Sequence, residues 1–276
     1  MKNYNNQKEN IVIVVQARMS SSRLPGKVML PILGETLLFR MIERLKRVKH
    51  AAQIVVATSE RADDNVIVQE AIKAHVAWYR GSLSNLLDRH YQIGRLHGAD
   101  LVVKIPSDCP LIDPSVVDRV LAFYFKNEKN YDFVSNLHPA TYPDGNDVEL
   151  MTMECLEKAW YEASRPLELE HTTPYIWENP DKFSIGNVYW ETGWDYAMSH
   201  RFTIDYREDY NFIKRVFEEL YPTTKNFDLG DILQLLDKKP EIYNLNAQYA
   251  GVNWYRNHLN ELKTIDVSQT KTIQQI

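Results

Sequence analysis

The first apolar run of the chain, Ile11–Gln16 (IVIVVQ), is continuous rather than alternating. Successive side chains of a strand point to opposite faces. An unbroken β-branched run therefore predicts a strand covered on both sides, as in a parallel sheet between helical layers. Further runs of strand length follow at Gln53–Ala57, Val76–Tyr79, Leu101–Ile105 and Phe133–Ser135. Between them Thr36–Val48, Asp64–Ala74, Ser84–Leu96 and Pro114–Lys126 are amphipathic and of helical length. Strand and helix thus alternate at least four times before residue 135, the signature of an open α/β sheet with right-handed crossovers.

Beyond this point the periodicity weakens, and His138–Gly193 is rich in Pro, Tyr, Trp and Glu. The pattern there predicts a strand at Asp147–Thr152, helices at Met153–Glu162 and Leu167–Trp177, and a strand at Phe183–Tyr189. A return strand is expected at Arg201–Ile204, then helices at Glu208–Leu220 and Asp228–Asp237, the latter capped by Asn226 or Asp228. Asn246–Asn260 is the last expected helical element. The polar ends, Met1–Asn10 and Ser268–Ile276, are expected to be a frayed terminus and a tail. The predicted division is a domain over 11–240, with an inserted lobe at about 138–193 that covers the sheet edge or pairs two subunits. A C-terminal helical extension and tail cover 241–276.

The 276 residues are 44% hydrophobic and 25% charged, an ordinary globular balance. A net charge of −5 argues against a nucleic-acid surface, which needs a basic footprint. Cys109 and Cys155 are the two cysteines and have no metal-knuckle spacing, so a reduced, cytoplasmic chain is expected. Ile11–Val15 is too short for a membrane span, and no membrane partner is expected.

Chemistry concentrates in three places. Ala17–Lys27 (ARMSSSRLPGK) follows the first strand and sets Arg18, Arg23 and Lys27 among three serines and a glycine. Ligands of open α/β sheets bind at the carboxyl ends of strands, and such a loop suits a polyphosphate, or is simply a solvated basic loop. It is not a Walker A loop, because Val28 follows Gly26-Lys27 and Ser21 stands where the first glycine belongs; a GxGxxG fingerprint is also absent. Asp108, just past Leu101–Ile105, is a metal candidate, whereas Asp113 precedes Pro114 and fits a helix cap. Asp205 closes the third segment, Arg201–Asp205, as a second metal ligand or as a turn residue.

In this order, Gln16-Ala17-Arg18 with Ser22–Lys27, Ser107–Asp113, and Thr203–Tyr206 with Glu208-Asp209 resemble the motifs of the cytidylyltransferases. That family includes the acylneuraminate and 3-deoxy-manno-octulosonate enzymes, and the resemblance is greatest to the spore-coat polysaccharide branch. It implies a three-layer, mostly parallel GT-A-like sheet flanked by helices, with CTP as donor, CMP transfer to an acidic sugar of the nonulosonic type, and release of pyrophosphate. It also implies that Arg18, Arg23 and Lys27, with Ala17, Ser22 and Gly26 beside them, hold the CTP phosphates. Asp108 and Asp205 would ligate Mg2+. Ala57-Thr58-Ser59 would face the base or ribose, although Ser59 stands where many relatives have aspartate. Acceptor-side candidates are Asp147, Glu149, Glu170, His171 and Arg201; Tyr142–Asp147 is equally ordinary turn chemistry, and His171 a structural group or a base. A homodimer is expected. The alternatives are a GT-A glycosyltransferase, disfavoured because no Asp-x-Asp occurs, and an inactive nucleotide-binding homologue.

Overall fold

The computed structural model describes residues 9–50, 52–127 and 129–271. The expected frayed terminus up to residue 8 and the end of the polar tail from residue 272 lie outside the described residues. The chain runs β1 (Ile11–Gln16), a small hairpin of β2 (Pro31–Ile32) and β3 (Glu35–Thr36), α1 (Leu37–Leu45), β4 (Ala52–Ser59), α2 (Asn65–Lys73) and β5 (Ala77–Gly81). It continues through α3 (Leu86–Leu96), β6 (Leu101–Pro106), α4 (Pro114–Lys126), β7 (Phe133–Ser135), β8 (Glu149–Thr152), α5 (Met153–Glu162), α6 (Pro166–His171) and α7 (Pro174–Trp177). β9 (Ile185–Asn187), α8 (Arg207–Leu220), α9 (Leu229–Lys238) and α10 (Pro240–Tyr243) complete it.

Seven strands form one sheet in the order β5-β4-β1-β6-β8-β7-β9, and of these β8 alone runs against its neighbours. The continuous run of β1 is explained by two cores. Ile11, Ile13 and Val15 pack with Met41 of α1, Val117 of α4, Phe217 of α8 and Ile232 of α9. Val12 and Val14 pack on the other face with Leu87 and Tyr91 of α3, Leu156 of α5 and Ile176 of α7. The result is a three-layer α/β/α architecture. Segment 138–193 joins it through the sheet itself, supplying β8 between β6 and β7, and β9 at the edge.

Helix starts follow local chemistry. The Asp113 carboxylate accepts from Ser115 N–H at 2.8 Å to cap α4, and its second oxygen accepts from Leu229 N–H at 2.6 Å, fixing where α9 begins. Three expected elements differ. Leu167–Trp177 is two short helices, because Pro174 has no N–H to continue the ladder and Thr172 turns at φ 74°. Arg201–Ile204 is not a sheet strand: its hydrogen bonds go to loops, Phe202 N–H to Asp144 O at 2.7 Å and Ile204 N–H to Asp108 O at 2.9 Å. Gly145, at φ +102°, permits that approach, since a Cβ there would lie 2.6 Å from the Phe202 carbonyl carbon. Asn246–Asn260 holds short 3-10 turns, interrupted where Gly251 turns at φ +79°. Among the described residues no helix is long and apolar enough to cross a membrane.

Candidate nucleotide site at the carboxyl edge of the sheet

The loop leaving β1 is tied down before it reaches any ligand. Asp64, between β4 and α2, accepts from Met19 N–H at 2.8 Å and from Ser59 N–H at 3.2 Å, and also holds the Ser59 hydroxyl. Gly26 N–H donates back to Met19 O at 2.9 Å, and Gly26 takes a left-handed φ of 70° to start the turn that carries Lys27. Lys27 thereby reaches under the loop. Its ammonium donates to Asp108 at 3.0 Å, Asp205 at 2.9 Å and the Ile204 carbonyl at 2.7 Å. Arg23 pairs with the same Asp205 oxygen at 2.7 Å, while the more exposed Arg18 lies 3.4 Å from Glu170.

Arg201 is the brace of this cluster. Its five N–H groups all find acceptors: Nε and Nη2 go to Asp209 at 2.9 and 3.2 Å, Nη2 to Asp205 at 3.2 Å, and Nη1 to Asp144 at 3.2 Å and the Val252 carbonyl at 2.8 Å. Asp209 in turn accepts from the N–H groups of Asp205 and Tyr206, starting α8. Every N–H of Arg201 is thus engaged within the protein, as a brace requires.

The electrostatics divide the acids. Burial alone would raise the Asp205 carboxyl, but Lys27, Arg23 and Arg201 hold it well below the usual carboxylate range. Lys27 is in turn raised: burial lowers it, and Asp108 and Asp205 more than offset that. Asp144 has only Arg201 against it, and for Asp147 burial and the carboxylates of Asp108 and Glu149 stand against Lys104 and a backbone N–H. Burial and the neighbouring carboxylates push Asp144 well up, despite Arg201, and push Asp147 to about 6.

A cavity of about 270 Å³ opens onto these groups. Ala17, Arg18, Ser22, Arg23, Lys27, Asp108, Asp147, Glu149, Glu170, His171, Arg201 and Asp205 all line it. Gly26, Ala57, Thr58 and Ser59 are not in its wall. Ala57, Thr58 and Ser59 are fully buried; Ala57 O accepts from Ala17 N–H at 2.9 Å, so this strip holds the loop from behind. Glu149 is spent on Lys104 and on the Thr173 hydroxyl. His171 stacks on Trp254 with ring centroids 3.9 Å apart, and burial holds its imidazole down at about 3, so it is neutral at pH 7. Trp177 and Trp190 are core residues, while Trp194 is exposed. Sequence reasoning overlooks Arg89, Lys104 and Trp254 in the cavity wall, and names Gln16 within a motif without giving it a role. Gln16 has a signal, as the polar end of an apolar strand; Arg89 sits in an ordinary helical pattern and has none.

Buried histidines predict acid lability. His90 in α3 is fully buried, which lowers its pKa to about 3, against an ordinary value of 6.5. Below pH 6.5 the unfolded chain therefore binds a proton that the folded chain refuses. Stability from this group is complete above 6.5 and is lost as pH falls towards 3, at about 1.4 kcal/mol per pH unit. Urea unfolding of His90→Gln between pH 6 and 4 should show a pH slope shallower than wild type by about one proton. Coincident slopes would mean His90 is not held neutral.

The comparisons with known proteins agree with this geometry. Residues 12–252 match the family described as cytidylyltransferase. A protein of Methanocaldococcus jannaschii, itself uncharacterized, is 34% identical over 242 residues, covering 86% of this chain and 94% of its own length. The spore coat polysaccharide biosynthesis protein SpsF of Bacillus subtilis is 26% identical over 237 residues, 84% of this chain and 96% of its own. The solved structure of a cytidylyltransferase from Leptospira borgpetersenii superposes with a TM-score of 0.79 at 33% identity, over 86% of this chain and 96% of that one. A loop carrying three cations at the carboxyl edge of the sheet, a lysine shared by Asp108 and Asp205, and a family match across nearly the whole sheet lead to one statement: this chain belongs to the cytidylyltransferase family and is a nucleotidyltransferase.

Proposed function

We propose that the chain transfers CMP from CTP to an acidic sugar of the nonulosonic type, releasing pyrophosphate, in surface-polysaccharide or glycoconjugate synthesis. The observation that carries this reading is the placement of Lys27 between Asp108 and Asp205 in the cavity at the strand ends. A nucleoside triphosphate entering there meets Arg18, Arg23 and Lys27 on one side and carboxylates on the other. Phosphate oxygens would draw Lys27 and Arg23 off Asp205. The loop would then hold the α-phosphate in line with a sugar hydroxyl, so that positioning and charge neutralisation do the catalytic work.

Asp108 and Asp205 are the residues that would hold Mg2+. The donor set fits: two carboxylates already converge on a single cation, the Lys27 ammonium, and hard oxygens are what this ion takes. Among the described residues no three His, Cys, Asp or Glu side chains are gathered for a metal, which suits an ion that takes one or two carboxylates plus substrate phosphates. When bound, Mg2+ would supply charge neutralisation and orientation of the phosphates.

The SpsF similarity supports the polysaccharide role, and the hydroxyl-rich, partly basic wall supports a polyhydroxylated acid. Exposed Tyr161 and Tyr189 give the 138–193 segment an apolar surface for a second copy; a monomer by light scattering would remove the dimer. Buried free Cys109 and Cys155 are in keeping with a cytoplasmic setting. The test is pyrophosphate release with CTP, Mg2+ and a panel of nonulosonic acids beside neutral sugars. At least one acid should turn over, and Asp108→Asn should fold normally and release pyrophosphate about 100-fold more slowly. Turnover of neutral sugars alone would overturn the acid assignment, and a fully active Asp108→Asn the metal assignment.

A further inference from the structure

A second cavity, also of about 270 Å³, adjoins the first. Leu137, Asp144, Asp147, Asn253, Trp254 and Tyr255 line both, so the two spaces meet across a common wall. Half of that wall comes from the strap 253–271, which lies beyond the stretch matched to the family, 12–252. The strap is built into the fold. Leu262 and Ile265 are buried in the core on the α3 side of the sheet, and the Glu178 carboxylate accepts from Lys263 N–H at 2.7 Å and Thr264 N–H at 2.8 Å. The Asn253 amide donates to the Gln269 carbonyl at 2.9 Å, drawing the two ends of the strap together. Gly251 lets the chain turn onto Met198, since a Cβ there would lie 2.8 Å from Met198 Cε.

The two cavities differ in charge. The first holds Arg18, Arg23, Lys27 and Lys104. Among the described residues no Lys, Arg or His lines the second, and its charged groups are Asp144, Asp147 and Asp195. Each of these carboxylates already has a donor within the protein: Arg201 for Asp144, Gly145 N–H at 3.2 Å for Asp147, and Ala197 N–H at 3.1 Å for Asp195. They therefore repel an anion without forming a site for a cation. Much of the remaining wall is apolar, with Pro139, Tyr142, Met198 and Trp254 in it. A charged or heavily hydroxylated group would lose hydration there with few hydrogen bonds in return, whereas an apolar group gains by leaving water.

We infer that the second cavity takes the tail of the acceptor, the end remote from its carboxylate, and that the strap selects acids whose tail is uncharged and bears an apolar substituent of the N-acyl or methyl class. This rests on the acid-acceptor reading proposed above, and it adds which acids the site takes. In a cyclic 2-keto acid the attacking hydroxyl and the carboxylate share one carbon, so both stay with the cations and phosphates of the first cavity. The rest of the sugar leaves across the common wall. There Asp147 meets its polar donors, and the apolar substituent lies against Met198 and Trp254.

The experiment follows the Met198 ε-methyl signal by NMR in protein carrying isotope-labelled methionine, with CMP present. N-acylated nonulosonic acids, N-acetylneuraminate first, are titrated, each beside its counterpart with a hydroxyl in place of the acyl-amino group. The Met198 signal is identified by its loss in Met198→Leu. At least one N-acylated acid should shift that methyl and bind about tenfold or more tightly than its counterpart, the discrimination an apolar pocket can supply. Met198→Lys should weaken the same acid about tenfold, with a smaller effect on CMP. Equal affinities, tighter binding of the hydroxylated counterparts, binding that leaves Met198 unmoved, or no binding by any acid would each overturn the inference. Pyrophosphate release from an acid that leaves Met198 unmoved would keep the transfer reading and remove this one. A shifted Met198 with no pyrophosphate release from any acid would do the reverse.

Discussion

Lys27→Met should lower pyrophosphate release by about 1000-fold while leaving a folded protein. The substitution keeps the stem that runs beneath the loop and removes only the ammonium. In the free protein that ammonium neutralises Asp108 and Asp205 from a single point, at 3.0 and 2.9 Å. In the proposed complex it is the cation nearest the developing phosphate charge, and loss of one preorganised donor to such charge typically costs 100- to 1000-fold. The same change leaves two carboxylates facing each other across the gap, with Arg23 and Arg201 still on Asp205. Lys27→Met should therefore be less stable than wild type, by about 3 kcal/mol, with part of the loss recovered in millimolar Mg2+. Steady-state kinetics and thermal melts with and without Mg2+ check both halves. A variant that turns over within tenfold of wild type would remove Lys27 from the chemistry.

The largest loss of stability should come from Arg201→Met, about 3–5 kcal/mol by urea unfolding at pH 7. Arg201 is 2% exposed, and all its donors are used. Removing it leaves Asp209 with no counter-charge among the described residues and takes from Asp144 its ion pair with Arg201. Asp209 also starts α8, so the damage should spread along that helix. Activity should fall as well, because Asp205 would lose its lateral support. If the loss were below 1 kcal/mol, the packing of 201–209 against the Asp144 turn would be wrong, since buried ion pairs broken on one side do not disappear so cheaply.

What could be read from the sequence had a local cause. β1 declared itself because both faces of one strand are buried, and α4 because Asp113-Pro114 is a cap and first-turn pair that needs no tertiary help. Lys27, Asp108 and Asp205 could be found because each lies directly past an apolar run or its loop. The failures depend on non-local contacts. Arg201–Ile204 has strand-like residues, but the backbone partners of Phe202 and Ile204 are turns 58 and 96 positions away. Ala57–Ser59 occupy a strand end, as expected, yet the loop from β1 lies over them. Arg89 was invisible because a helical pattern records which residues face inward, not whether an inward charge has a partner. The His138–Gly193 region was least legible: its strands are three and four residues long and take their stability from neighbours in the sheet.

The Asp64 staple has a consequence in entropy. Fixing the backbone of a free residue costs about 1–2 kcal/mol at 25 °C, and a ligand that had to order a loop of this length would lose much of its affinity in doing so. Asp64 holds Met19 and Ser59 to one carboxylate, so this part of the ordering is complete when the protein folds. A nucleotide arriving at Ala17–Lys27 finds the start of the loop already shaped. Its phosphate contacts can then go into binding and chemistry rather than into organising the chain around them.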